Sequence, residues 1–192
     1  MAKTLSTMLE LGVSAPDFNL PEPLTGKQVN LSDFRDSELL VIFMCNHCPY
    51  VLQILDSFVD MVKGYQTQGL KVVAINSNDV THYPDDSPQR MAELAQTMHF
   101  DFPYLFDEAQ SVAKAYQAAC TPDLFLFNAQ HKLVYRGQYD AARPGNGEPV
   151  TGADLRAAID NLLADKNIAT EQTPSMGCNI KWKEGNEPDY FG

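Results

Sequence analysis

The chain has 192 residues, 44% of them apolar and 20% charged, which suits one well-cored globular domain and leaves little room for extended disorder. Its 25 acidic and 14 basic residues give a net charge of −11, which argues against nucleic acid as a partner, because a phosphate-tracking protein needs a basic face. No apolar stretch approaches the length of a membrane span, and Met1–Glu10 lacks the apolar core of a secretory signal. The expectation is a cytoplasmic protein with no membrane partner.

In chain order, Asp17–Leu20 and Gln28–Leu31 flank a turn-rich stretch and read as a hairpin. Ser32 is the expected cap of a short turn through Phe34. Leu39–Met44 is a continuous apolar run, the pattern of a strand covered on both faces. From Val51, apolar positions 51, 55, 58 and 62 recur at helical spacing, Leu52 and Val59 widen the face, and Gly69 closes the helix. Leu70–Ile75 is the next buried strand. A polar loop over 76–88 holds His82 and Tyr83, read as solvent-side residues like Arg136 and Arg143. Ser87-Pro88 opens a helix through about His99. Phe102–Phe106 is short and extended, and Ala109–Ala118 is expected as helix. Asp123–Phe127 and Lys132–Tyr135 are two strands joined by a turn, and Asp154–Ala164 is the last helix. Residues 165–192 show no clear periodicity and hold Cys178 and the only tryptophan, Trp182. This order predicts an α/β sheet with helices on both faces.

The chemistry concentrates in Cys45-Asn46-His47-Cys48, placed between the apolar run and the helical pattern. Two thiols two residues apart at a strand-to-helix junction can close and reopen a small disulfide ring. The helix start supplies unpaired N–H groups and a positive dipole end that favour thiolate, the species that attacks disulfides and peroxides. Four cysteines in a chain this long are not a disulfide scaffold, and a close pair in a reducing compartment is more often catalytic or metal-binding. The position of Pro49 decides which sulfur lies nearer the helix start. If Pro49 is the first helical residue, Cys48 is the cap; if the helix begins near Asn46, Cys45 has the advantage.

Val41-Ile42-Phe43-Met44-Cys45-Asn46-His47-Cys48-Pro49, followed by Cys120-Thr121-Pro122-Asp123-Leu124-Phe125-Leu126-Phe127, resembles a thioredoxin fold. Gly12–Phe18 and Phe102–Asp107 extend that resemblance to the entry and the insertion of the alkyl hydroperoxide reductase/thiol-specific antioxidant superfamily. Over about residues 12–165 the chain is similar to peroxiredoxin-like proteins that carry a thioredoxin-type Cys-x-x-Cys. The resemblance implies a thioredoxin-like domain over 1–165, with a central mixed sheet flanked by helices, an N-terminal hairpin and a peroxiredoxin-type insertion, and a C-terminal extension over 166–192 packed on it. It also implies a cis-proline at Pro122 with Thr121 beside the pair, and Cys45 as nucleophile with Cys48 resolving.

The activity implied is thiol–disulfide exchange with no cofactor. Its substrate is a disulfide-containing protein or small molecule, and its reductant a dithiol partner such as a thioredoxin system. Three departures qualify this. Where peroxiredoxins carry a hydroxyl three residues before the peroxide-attacking cysteine, this chain has Cys45; where they carry proline, it has Val41. A thiol peroxidase with Cys48 as the peroxidatic cysteine is the second reading. Leu39–Met44 also lacks the buried acidic residue of thioredoxins. His47, when protonated, stabilises a neighbouring thiolate and so raises the reduction potential.

Blander readings stand beside these. Cys45 and Cys48 are also half of a zinc site that Cys120, Cys178 or His47 would complete, and a redox-sensing or zinc-binding module is the non-enzymatic alternative. Cys120 is either a small buried apolar residue or a third thiol near the pair. Cys178 belongs either to a surface-packed tail or to a segment delivering a distal resolving thiol. Arg143 could approach the pair, as an arginine does in peroxiredoxins.

Overall fold

An all-apolar strand needs cover on both faces, and every side chain of Leu39–Phe43 is buried. The computed structural model describes residues 3–191. In chain order its strands are β1 (Lys3–Leu5), β2 (Asn19–Pro21), β3 (Gln28–Asn30), β4 (Leu39–Phe43), β5 (Lys71–Asn76), β6 (Tyr104–Phe106), β7 (Cys120–Thr121), β8 (Asp123–Phe127), β9 (Leu133–Tyr135) and β10 (Met176–Asn179). The helices are α1 (Pro49–Gln66), α2 (Pro88–Thr97), α3 (Ser111–Ala115) and α4 (Ala153–Leu163).

β4 is the middle of a five-stranded mixed sheet in the order β6-β5-β4-β8-β9. It runs parallel to β5 and antiparallel to β8. Side chains alternate across the sheet as a period of two requires. Leu40, Ile42, Val72, Ala74, Leu124 and Leu126 share a core with α1, Met91 of α2 and Leu155, Ala158 and Ile159 of α4. Leu39, Val41, Phe43, Val73, Phe125 and Phe127 share the opposite core with α3, the N-terminal segment, Ile180 and Trp182. This is the thioredoxin-like arrangement, with the hairpin present as β2–β3 and Phe102–Asp107 contributing the parallel edge strand β6.

This sheet topology gathers the end of β4, the end of β5 and the start of β8 at one edge, since Phe43 pairs with both Ile75 and Asp123. Cys45–Cys48 and Pro122 therefore meet because two antiparallel neighbours present opposite ends to the same place. Thr121–Pro122 is a cis peptide, standing between β7 and β8.

Several local expectations are corrected. The short turn Leu31–Phe34 is capped by Asn30, reciprocally with Asp33, not by Ser32. On α1 the buried stripe is Val51, Ile54, Leu55, Phe58, Met61, Val62 and Tyr65. It widens toward Ile54 and leaves Leu52 51% exposed, because Leu52 sits about 100° round from Val51 on the far shoulder. The helix expected over 109–118 shrinks to Ser111–Ala115. Gln110 before it and Gln117 after it both take positive φ, and the buried Gln110 amide donates to the carbonyls of Ser77 and Lys181. Fixing that side chain holds the chain in a turn where the apolar pattern alone reads as helix.

A second sheet, β1-β10-β7, was not expected. Its strands have four residues or fewer, too short for an alternating pattern to register. β10 runs antiparallel to both neighbours, pairing Cys178 with Lys3 on one side and Thr121 on the other. Gly177 makes the second pairing feasible, because a Cβ there would lie 1.9 Å from the Thr121 carbonyl oxygen. Gly177→Ala is expected to cost about 1–3 kcal/mol, the usual penalty of forced overpacking, seen as a lower midpoint in urea unfolding.

Candidate active site

Pro49 is the first residue of α1, and Cys48 is its N-cap with extended φ/ψ. That answers the question left open by the sequence: Cys48, not Cys45, sits at the positive end of the helix. The Cys48 carbonyl accepts from Leu52 N–H at 2.9 Å, so its backbone already belongs to the helix while its side chain faces the pair. All four cysteines are buried free thiols.

Thr121 binds the site together. Cys48 Sγ lies 3.1 Å from the Thr121 carbonyl oxygen, to which the thiol form donates. Cys45 Sγ lies 3.5 Å from the Thr121 hydroxyl. The neighbouring Cys45 and Cys178 thiols, the Thr121 hydroxyl and the Val51 N–H favour its thiolate, so its pKa falls to about 5 despite burial. Cys45 moves the other way, because its contact with Cys48, its burial and the Asp86 charge all favour its neutral form. Cys178 is held protonated by burial and by its contact with Cys48. Cys48 is thus the most acidic of the three neighbouring thiols. Cys120 stands apart, with its thiol 3.5 Å from the Pro122 carbonyl and its acidity suppressed by burial and the Asp123 charge.

His47 is paired with a residue that sequence reasoning missed. Its Nδ1 lies 2.8 Å from Oδ2 of the fully buried Asp86, though neither ring nitrogen makes an aligned hydrogen bond. Asp86 raises the His47 pKa against the opposing effect of burial. The carboxylate is further held by Asn46 N–H at 2.7 Å and the Asn78 amide at 2.8 Å. Asn46 in turn accepts from the buried Tyr104 hydroxyl at 3.0 Å. Tyr83, expected to be a bystander, stacks on His47 with ring centroids 5.5 Å apart and planes 9° from parallel. Lys181 Nζ lies over the Tyr83 ring, 5.6 Å from its centroid. His82 remains on the solvent side, paired with Asp79. Arg136 bonds Gln172 and the Leu9 carbonyl. Arg143 bonds the carbonyls of Asp140 and Ala142 and lines a cleft with Tyr50, Pro122 and Ser175.

Cys45 Sγ, a His47 ring nitrogen and an Asp86 oxygen lie within 4.8 Å of one another. Sulfur, nitrogen and oxygen donors of this kind suit zinc. Both carboxylate oxygens already accept from Asn46 and Asn78, however, and His47 Nδ1 lies against one of them at 2.8 Å. Neither Asp86 nor Tyr83 left a readable signal in the sequence. Both sit in a polar stretch, and only the return of the chain through a short 3₁₀ turn at Pro84–Asp86 brings them to the pair.

The AhpC/TSA family model matches residues 11–136, about two thirds of the chain. The chain belongs to the AhpC/TSA family. Within or beside that family, two solved structures match almost end to end. The crystal structure of an uncharacterized conserved protein from Geobacillus kaustophilus is 47% identical, covering 95% of this chain and 97% of that one, with a TM-score of 0.93. That of a hypothetical protein from Sinorhizobium meliloti 1021 is 50% identical, covering 95% and 100%, with a TM-score of 0.92. A peroxidoxin from Mycobacterium tuberculosis, at 20% identity, 82% and 99% coverage and a TM-score of 0.61, shares the fold. No curated protein matches the chain. The AhpC/TSA match ends before β10, so Cys178 and Lys181 lie outside the region the family model describes. Among the described residues no helix is long and apolar enough to cross a membrane.

Two outcomes follow from the charges. Ultraviolet thiolate absorbance is expected to show a titration step well below the ordinary thiol value of about 8.5; it should vanish in Cys48→Ser and persist in Cys120→Ser. Asp86→Asn is expected to lower the His47 pKa, read from its ring proton shifts by NMR, because the charge that favours imidazolium is gone.

Proposed function

We propose that this AhpC/TSA protein is a thiol–disulfide oxidoreductase in which Cys48 attacks and Cys45 resolves. The observation that supports this best is the position of Cys48: it caps α1 with its sulfur 3.1 Å from the Thr121 carbonyl, beside Pro122, and shares one cluster with Cys45. The Cys48 thiolate attacks one sulfur of a substrate disulfide, forming a mixed disulfide and releasing the other as a thiolate, which takes a proton. With the negative charge gone from Cys48, Cys45 loses the neighbour that kept it protonated. Its proton leaves, its thiolate attacks Cys48, and the second substrate thiolate departs. The product is a Cys45–Cys48 disulfide, which a dithiol partner reduces by the same exchange. This assigns Cys48 rather than Cys45 as nucleophile, reversing the order that the thioredoxin resemblance implies. Cytoplasmic residence fits the need for such a reductant.

One feature favours a second reading. Cys45 is 1% exposed and Cys48 0%, so an oxidant that reaches them in this conformation is small. With a hydroperoxide, the Cys48 thiolate takes the terminal oxygen to give a sulfenic acid and an alcohol or water. Cys45 then forms the disulfide and releases water.

Reduced protein offered a small disulfide, a protein disulfide and hydrogen peroxide in separate stopped-flow assays distinguishes them. Fast disulfide reduction with slow peroxide loss supports the first reading; the reverse ranking selects the second. Cys48→Ser should abolish either activity.

Asp86 favours the protonated form of His47, and an imidazolium beside the pair stabilises the thiolate of the reduced form. His47→Ala is therefore expected to lower the reduction potential by on the order of 30 mV, equivalent to about 1.4 kcal/mol for a two-electron couple, in equilibration against glutathione. An unchanged or higher potential would overturn this role.

A further inference from the structure

Cys48 has two thiol neighbours, and only one of them belongs to the Cys-x-x-Cys motif. Cys178 arrives on β10, from beyond the residues that the AhpC/TSA model matches. Its backbone position is tightly determined. Cys178 pairs with Thr121, the residue whose carbonyl faces Cys48 Sγ and whose hydroxyl faces Cys45 Sγ. Gly177 lets β10 close on the Thr121 carbonyl to a distance no side chain would permit. The Ser175 hydroxyl fixes the other end of the approach by donating to the Pro122 carbonyl at 2.8 Å. β10 also packs on α1, the helix that Cys48 caps. Cys178 is 3% exposed and shares one apolar cluster with Cys45 and Cys48. A surface-packed tail needs none of this precision. Cys120 provides the contrast within the same sheet: its neighbour in the register is Asn179, and its thiol turns to the Pro122 carbonyl.

We propose that Cys178 is a second resolving thiol, able to form a Cys48–Cys178 disulfide in place of the Cys45–Cys48 bond. The proposal deepens the reading of Cys48 as the attacking sulfur and rests on it. After Cys48 has reduced a hydroperoxide, the Cys178 thiolate attacks the Cys48 sulfenic sulfur; an S–S bond forms, the S–O bond breaks, and water leaves with the thiol proton. After Cys48 has attacked a disulfide, Cys178 attacks Cys48 in the mixed disulfide and expels the substrate thiolate, which takes the proton. In both cases two electrons pass from two thiols to the substrate, and Cys45 is left as a free thiol. A Cys45–Cys48 bond can also convert to Cys48–Cys178 by internal exchange, with Cys45 as the leaving thiolate. The oxidised protein is then covalently tied between the start of α1 and β10. Cys178, fixed by a three-stranded sheet, works from a set position and not from a mobile tail.

Disulfide mapping by mass spectrometry tests this. Wild-type, Cys45→Ser, Cys178→Ser, Cys45→Ser/Cys178→Ser and Cys45→Ser/Cys120→Ser proteins are reduced, desalted and treated with one equivalent of hydrogen peroxide. Cys45→Ser is expected to give Cys48–Cys178 as its main internal bond, and Cys45→Ser/Cys120→Ser the same bond. Cys178→Ser is expected to give only Cys45–Cys48, and Cys45→Ser/Cys178→Ser to stop at the Cys48 sulfenic acid, trapped by dimedone. Should Cys45→Ser fail to fold, judged by circular dichroism, the wild type supplies the same readout as a Cys48–Cys178 fraction that Cys178→Ser lacks. Absence of that bond from both wild type and Cys45→Ser overturns the proposal. A Cys48→Ser variant keeps the two readings separate: if it reduces substrate at the wild-type rate, the assignment of Cys48 itself fails. If it is inactive while no Cys48–Cys178 bond forms in any variant, only the role of Cys178 falls.

Discussion

Thr121 is the point on which the candidate site depends. Its carbonyl faces Cys48, its hydroxyl faces Cys45, its backbone pairs with Cys178, and its peptide bond to Pro122 is cis. Four requirements on one residue explain why its surroundings are so constrained. β8 must begin where β4 ends, which the antiparallel register between Phe43 and Asp123 provides. The strand on its far side must bring no side chain at the point of closest approach, which Gly177 provides. A sulfur held between these backbones has little freedom to move, so its chemistry is set by which neighbours have protons to give.

The charge arrangement follows from that confinement. A buried thiolate is costly unless donors surround it, and Cys48 has a helix start, two thiols and a hydroxyl within reach. The same crowding raises the pKa of Cys45. Asp86 adds a second buried negative charge close by, but pairing with His47 and bonds from Asn46 and Asn78 absorb most of it. The His47 ring joins the two groups, with its Nδ1 against Asp86 and its plane stacked with Tyr83.

Much of the central sheet was legible because its strands are long enough to show their pattern. Leu39–Phe43, Lys71–Asn76 and Asp123–Phe127 are near-continuous apolar runs, and α1 shows its period over 18 residues. The Cys-x-x-Cys pair was visible because its spacing is local. What stayed hidden is what depends on distant segments meeting. β1, β7 and β10 are too short to show alternation, and Asp86 reads as one more polar loop residue until the chain folds back. Which sulfur caps the helix turned on whether it begins at Asn46 or Pro49, a shift of about one turn that apolar periodicity does not resolve. The weight of Gly177 is invisible in sequence, since nothing beside it shows that a carbonyl from residue 121 will press against it.

The interleaving of β1, β10 and β7 also bears on how the protein comes into being. Contacts between remote residues form late, because long loops must close. The pair at 45–48 and its helix follow β4 directly in the chain. β1 lies ahead of them but cannot find its partner until residues 176–179 have been synthesised. The paired thiols are thus made well before their wall is complete, and a nascent chain holds them without Cys178 until β10 emerges.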